Sequence, residues 1–277
     1  MTEEWLTVRE WPTIVLQKLS DAGVARIVLN RAEKRNALSE ELANSFLEAL
    51  EEVRADKELK VVISKGNGPV YSAGLDLYYL RSRNEGLMED WDRPTPTAQL
   101  FEAVRNFPRV TIAQVHGYCV GGALALMNSH DVVIAANDAQ IGMPEILRGS
   151  FGQMATSTLF HSGIPIKKAV LIQLTGKNVS GAEADQLGLV SMAVDKEELE
   201  ATTTALAREI STRHAAPLAH AKIAAQMGRD LSLPQAMQLD RLVGARQRLS
   251  VDPLAHVEDY LQSQKGGAKI DYKRPDV

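Results

Sequence analysis

The distribution of apolar and polar positions divides the chain into a first half of alternating strands and helices and a second half of helices. Thr13 to Leu19 and Val24 to Asn30 are short runs rich in β-branched residues around Asp21-Ala22-Gly23, which predicts a hairpin. Leu42, Phe46, Leu47, Leu50 and Val53 recur at helical spacing opposite Glu40, Glu41, Glu48 and Glu52, and Ser39 can cap the helix they predict, running to about Arg54. Leu59 to Ser64 is a short apolar run of the buried-strand type, closed by the turn residues Lys65-Gly66-Asn67-Gly68-Pro69. From Val70 to Leu77 the small Ala73 and Gly74 free the backbone at a strand end. Leu80 to Pro94 mixes charges, a glycine and a proline with no sustained period and is expected to be mobile or adapted to a substrate. A helix starting at Thr95 or Thr97 carries Leu100, Phe101, Val104 and Phe107 and stops at Pro108. Val110 to His116 predicts a strand, Gly121-Gly122 a turn into an apolar helix ending near Ser129, and Asp131 to Ala136 another strand.

This alternation implies an α/β core with buried, largely parallel strands. Past Glu145 the pattern is helical in 153–162, 165–174, 181–187 and most of 197–264, and no further strand is expected. The helices at 196–213 and 233–249 have wide apolar faces that can pack on the core or on another subunit. The expected organisation is therefore a core at 1–195 and a helical region at 196–277, with the basic tail GGAKIDYKRPDV as a solvated end.

Composition changes this picture little. The 277 residues are 45% hydrophobic and 24% charged, ordinary for a globular protein. A net charge of −4 gives no bulk attraction to nucleic acid or to an anionic membrane, and neither is expected as a partner. The single Cys119 excludes an internal disulfide and fits a reducing compartment. The acidic start MTEEWLTVREW lacks the basic and apolar regions of a signal peptide, and no apolar run approaches membrane-spanning length, so the expected location is the cytoplasm. No Cys, His and carboxylate grouping has metal-ligand spacing, no metal is expected, and no G-x-G-x-x-G follows a strand.

The chemistry is concentrated between His116 and Arg148. Gly121 and Gly122 let a ligand approach the backbone, and N–H groups at a helix start have no intrahelical acceptor and can donate to a ligand oxygen. One acid, Glu145, arrives on the loop Met143-Pro144-Glu145-Ile146, a setting less polar than a solvated carboxylate prefers. A backbone donor beside a carboxylate is what proton transfer next to a carbonyl requires. His116 and His130 are read as structural, and Asp131 as bonding to nearby backbone.

Taken in order, IVLNRAEKRNALS, VYSAGLDL, VHGYCVGGALAL, DVVIAA, PEILRG and LTGKNVSGAEADQLGLV resemble the crotonase superfamily, the enoyl-CoA hydratase/isomerase family, over nearly the whole chain. The resemblance implies a crotonase-like spiral of ββα units with a C-terminal helical trimerisation region, assembly as a homotrimer or hexamer, and an acyl-CoA thioester as substrate. Coenzyme A enters only as part of that substrate, with no prosthetic group. It implies oxyanion donors at the backbone N–H groups of Leu75 and Gly122 and a catalytic Glu145. It also implies CoA or acyl contacts at Lys34, Arg35, Ala37 and Leu38, at Ala73, Gly74, Leu75, Asp76 and Leu77, and at Gly121 and Gly122, with Arg35 the leading phosphate candidate. The family's hydratases carry a second glutamate in the helix after the Gly-Gly turn, where this chain has Ala125. That pattern resembles single-glutamate isomerases and hydroxycinnamoyl-CoA hydratase-lyases. In the lyases an active-site tyrosine falls at the position of Leu80, with Tyr78 and Tyr79 nearby. The implied activity is double-bond isomerisation or hydration of an enoyl-CoA through an enolate. The alternatives are a hydratase-lyase and, from a different class, a non-catalytic acyl-CoA binder.

Overall fold

A computed structural model of the chain describes residues 4–84, 94–250 and 261. It divides into two compact units, 1–215 and 216–277.

In the first unit, β1 (Trp5–Glu10), β2 (Ile14–Leu19) and β3 (Val24–Leu29) form an antiparallel meander. Helix α1 (Glu40–Ala55) follows, with the Ser39 hydroxyl accepting from Leu42 N at 3.2 Å. It buries Leu42, Phe46, Leu50 and Val53, each removal from water contributing about 1.5–3 kcal/mol. Strand β4 (Val61–Gly66) then pairs parallel with β3.

After β4 the chain forms α2 (Leu77–Asn84), α3 (Pro96–Arg105), β5 (Val110–Val115), β6 (Tyr118–Val120), α4 (Gly122–Asn128), β7 (Val132–Ala136) and β8 (Gln140–Gly142). Next come α5 (Gln153–Phe160), α6 (Ile166–Thr175), β9 (Val179–Ser180), α7 (Gly181–Leu187), β10 (Met192–Val194) and α8 (Leu199–Ser211). The main sheet has the order β1-β2-β3-β4-β5-β7-β10 and is parallel from β3 onward. A small sheet, β6-β8-β9, stands apart from it.

Two expectations are corrected. Strands do not end at Glu145, because β9 and β10 follow it, and β10 extends the main sheet beside β7. They are two and three residues long and read as helix flanks in the sequence. The aperiodic stretch from Leu80 begins inside α2, which the Asp76 carboxylate caps by accepting from Tyr78 N at 2.9 Å. Residues 85–93 of that stretch, and the tail after 261, lie outside the described residues.

Helix α8 packs over β3, β4, β5 and β7 as part of the first unit, so the unit boundary falls after Ala215. Its Glu200 carboxylate ties three strands together, accepting from Arg26 Nη1 at 2.6 Å, from Gln114 Nε2 at 2.9 Å and from Lys65 Nζ. Burial pushes this carboxyl up, but the donors from Lys65 and Gln114 and the charges of Lys65 and Arg26 outweigh it and hold it below the ordinary 4.5. The side chain is 39% exposed, so after solvent screening Glu200→Ala should cost about 1–2 kcal/mol in urea unfolding at neutral pH. A carboxyl lowered by folding stabilises above its unfolded value and loses that contribution as pH falls through its folded one. The difference between wild type and variant should therefore narrow below pH 4.5; a difference independent of pH would contradict the assignment.

The second unit contains α9 (Ala215–Gly228) and α10 (Leu233–Ser250), which expose Ile223, Met227, Leu233, Met237 and Leu242.

Candidate active site

Strand β6 gathers the site. On one side Tyr71 N and Ser72 N donate to His116 O and Tyr118 O at 2.8 and 3.0 Å, laying the Ser72-Ala73-Gly74-Leu75 turn along it. On the other, β8 runs parallel to β6, with Cys119 opposite Ile141 and Val120 opposite Gly142. Gly121 N then donates to Gly142 O at 2.9 Å. Three residues past Gly142 the chain reaches Glu145, so the small sheet brings the acid beside the Gly-Gly turn.

The contact is close. Gly121 has φ +60°, a conformation that side chains disfavour, and a Cβ there would stand 2.6 Å from Glu145 Oε1. A Cβ at Gly152 would stand 3.0 Å from the same carboxyl carbon. Glu145 therefore lies in a slot between two glycines. Pro144 starts the 3-10 turn Pro144–Arg148 that carries it, and Gly149 at φ +67° ends that turn. Glu145 Oε2 is buried without a hydrogen-bond partner among the described residues.

The Leu75 and Gly122 N–H groups converge. A Cβ at Gly122 would lie 3.3 Å from Leu75 N, and one at Gly74 would lie 3.3 Å from Gly122 N. Neither N–H donates a hydrogen bond among the described residues. Gly122 is the first residue of α4, where an amide has no intrahelical acceptor. Two neighbouring backbone donors without an acceptor among the described residues, beside a carboxylate with one unpartnered oxygen, can hold a developing oxyanion while a proton moves.

Burial raises the Glu145 carboxyl above its ordinary 4.5, and a backbone hydrogen bond and the Arg148 charge pull it back only in part. A base works ionised, so kcat/KM should rise with pH along an acid limb whose midpoint lies above 4.5. A midpoint at or below that value would show that another group titrates.

Other predicted site residues occupy varied settings. Lys34 ends the 3-10 turn Ala32–Lys34 and Arg35 follows it; both are exposed, and Arg35 adopts φ +52°. Ala37 O accepts from Arg31 Nη1 at 3.2 Å. Leu38 is fully buried and exchanges backbone hydrogen bonds with Gly74 and Asp76. Ala73 N donates to Arg35 O at 3.0 Å, and Leu77 is exposed. The Asp76 carboxylate is engaged internally, accepting from Arg31 Nη1 at 2.6 Å as well as capping α2. Ala125 is fully buried and brings no second acid. Tyr78 projects outward, whereas Tyr79 is half-buried.

Sequence reading missed Asn36, whose side-chain amide is fully buried and donates to Asn67 O and Val70 O at 2.9 Å each. It also missed Gly152 as a wall of the Glu145 slot. Neither has a periodic signal. His130 Nδ1 donates to Leu126 O at 2.8 Å and its Nε2 meets Ser64 Oγ at 2.8 Å, while His116 Nε2 donates to Gly68 O at 2.9 Å. Burial pushes the Cys119 thiol up, away from nucleophilic character. A cavity of about 580 Å³ lined by Arg26, Lys65, Gln114 and Glu200 contains none of the residues around Glu145.

The model of the family described as enoyl-CoA hydratase/isomerase matches residues 20–251. This chain belongs to that family. Among its relatives is a hydroxycinnamoyl-CoA hydratase-lyase of Pseudomonas fluorescens, 29% identical over 81% of this chain and 82% of that protein. A peroxisomal Δ(3,5)-Δ(2,4)-dienoyl-CoA isomerase of Arabidopsis thaliana is 26% identical over 84% and 88%. The crystal structure of human enoyl coenzyme A hydratase domain-containing protein 3 superposes with a TM-score of 0.82 at 26% identity, over 91% of this chain and 98% of that one. The expected crotonase fold is therefore the fold observed. Within this enoyl-CoA hydratase/isomerase family member, the two Gly-rich turns and the 3-10 turn meet at β6.

Proposed function

We propose that this protein moves a proton at C2 of an enoyl-CoA thioester, with the Leu75 and Gly122 N–H groups holding the thioester oxygen and Glu145 acting as base and acid. The observation that carries this reading is that, among the described residues, Oε2 of Glu145 has no partner and the same carboxylate is pressed against Gly121 next to two backbone donors without an acceptor. In isomerisation, Glu145 removes a proton from C2 of a 3-enoyl thioester and the electron pair moves onto the thioester oxygen. Return of the proton at C4 places the double bond between C2 and C3. One carboxylate is sufficient for that shuttle. Hydration also needs a group to orient water, and Ala125 supplies none, so isomerisation is favoured over hydration.

A second reading is hydration followed by carbon–carbon cleavage of a hydroxycinnamoyl-CoA. It is supported by the likeness to the Pseudomonas hydratase-lyase and by the half-buried Tyr79. Incubation with 2-enoyl-, 3-enoyl- and hydroxycinnamoyl-CoA esters, with products read by mass, separates these reactions. A shifted double bond without mass change supports isomerisation, an added water supports hydration, and a released aldehyde supports the lyase. Binding of all three esters without conversion would overturn the enzymatic reading in favour of a silent acyl-CoA binder.

The exposed Lys34 and Arg35 are the proposed CoA phosphate contacts. Self-association as a homotrimer or hexamer is proposed through the apolar side chains that α9 and α10 expose. A monomeric mass by analytical ultracentrifugation would contradict it.

A further inference from the structure

We infer that Arg31 and Asp76 form a positioning pair for the Leu75 N–H, holding one oxyanion donor in place without touching substrate. The inference rests on the reading of Leu75 and Gly122 as the thioester-oxygen site.

Leu75 lies in a backbone staple. Leu38 N donates to Gly74 O at 2.8 Å, and Asp76 N donates to Leu38 O at 3.0 Å. Bonds from both flanking peptides to residue 38 turn the Leu75 N–H to the opposite side, where Gly122 stands. The staple, an isolated parallel bridge between Leu38 and Leu75, holds the donor only as firmly as its two segments hold each other. Arg31 joins them, because its Nη1 donates both to Ala37 O at 3.2 Å on one segment and to Asp76 Oδ2 at 2.6 Å on the other. The other oxygen of Asp76 accepts from Tyr78 N, so the same carboxylate fixes the start of α2 immediately after the donor.

The pair is shielded from solvent, with the Arg31 and Asp76 side chains 20% and 9% exposed. That burial separates Arg31 from its basic neighbours. Lys34 and Arg35 face outward, where an anion can reach them, while the Arg31 guanidinium is directed at an internal carboxylate and a carbonyl. A bidentate-capable guanidinium on a buried carboxylate gives a rigid joint, and a small displacement of a preorganised donor is costly for rate.

The test uses the full-length wild type, Arg31→Gln, Arg31→Lys, Asp76→Asn and the Arg31→Gln/Asp76→Asn double variant, with a 2-enoyl-CoA ester labelled with ¹³C at the thioester carbonyl. The infrared carbonyl stretch of the bound ester reports polarisation by the donors, and kcat, KM and ester affinity are measured alongside. Arg31→Gln should lose most of the wild-type red shift and about 10–100-fold in kcat, short of the roughly 10²–10³ expected for deleting a donor, with KM within about threefold. Arg31→Lys should recover part of both, and the double variant should be no slower than the worse single one. Should Arg31→Gln fold poorly, Asp76→Asn, which keeps a capping oxygen for α2, carries the same comparison. An unchanged stretch and kcat in the variants would overturn the inference. So would a rise in KM at constant kcat, which marks Arg31 as a direct CoA contact. Absence of any red shift in wild type would instead remove the oxyanion reading on which the inference stands.

Discussion

Replacing Glu145 with glutamine is expected to reduce turnover of an enoyl-CoA by about 10²–10⁴ while changing affinity for the CoA ester by less than about threefold. The substitution conserves shape, so the amide should fill the same slot between Gly121 and Gly152 and disturb the fold little. It cannot accept a proton from carbon, and Ala125, buried on α4, offers no second acid at that position. The variant should also be no less stable than wild type. The buried Oε2 of Glu145 has no hydrogen-bond partner among the described residues, and burial already disfavours its charge. A group whose carboxyl is raised by folding costs stability as pH rises above its unfolded value, so the neutral amide removes that cost at neutral pH. Lost activity together with unchanged or raised thermal stability would mark a residue kept for chemistry. Retained activity would remove Glu145 from the mechanism.

Gly122→Ala is expected to lower kcat by a comparable factor, about 10²–10³, for a different reason. Gly122 is the first residue of α4 and is not in the left-handed region, so alanine should suit the helix. Its methyl group, however, would stand 2.9 Å from Leu75 Cγ and 3.3 Å from Leu75 N, occupying the space between the two donors. The Leu75 side chain can yield, whereas the backbone N–H is held by its staple to Leu38. The methyl would therefore exclude the oxygen that the donors are placed to receive. Steady-state kinetics with circular dichroism and thermal unfolding check this directly. A folded Gly122→Ala variant with wild-type kcat would show that the thioester oxygen binds elsewhere.

Much of the core was legible because its signals are local. The stripe from Leu42 to Val53 with Ser39 ahead of it gave α1 and its cap, and the β2–β3 hairpin followed from its flanking runs. Glu145 and the Gly-Gly turn stood out because an acid in an apolar loop and a glycine pair before an apolar helix are unusual combinations. What brings them together was not legible. Strands β6, β8, β9 and β10 are two or three residues long, too short for an alternating pattern to register, yet β6 and β8 place Glu145 over Gly121. Helix α2 has no amphipathic pattern and starts where a tertiary ion pair fixes its cap. Arg31 lies 45 residues from Asp76, and in the sequence it is one more cation in a basic run. The family resemblance named the contact positions but could not distinguish a carboxylate offered to a ligand from one engaged internally, as Asp76 is.

The most direct measurement of the central claim is deuterium uptake at C2 and C4 of a 3-enoyl-CoA ester in deuterated water, read by mass for wild type and Glu145→Gln. Proton transfer by Glu145 through a stabilised enolate should give uptake with double-bond migration in wild type and at least about a hundredfold slower uptake in the variant. Equal uptake in both proteins would contradict it.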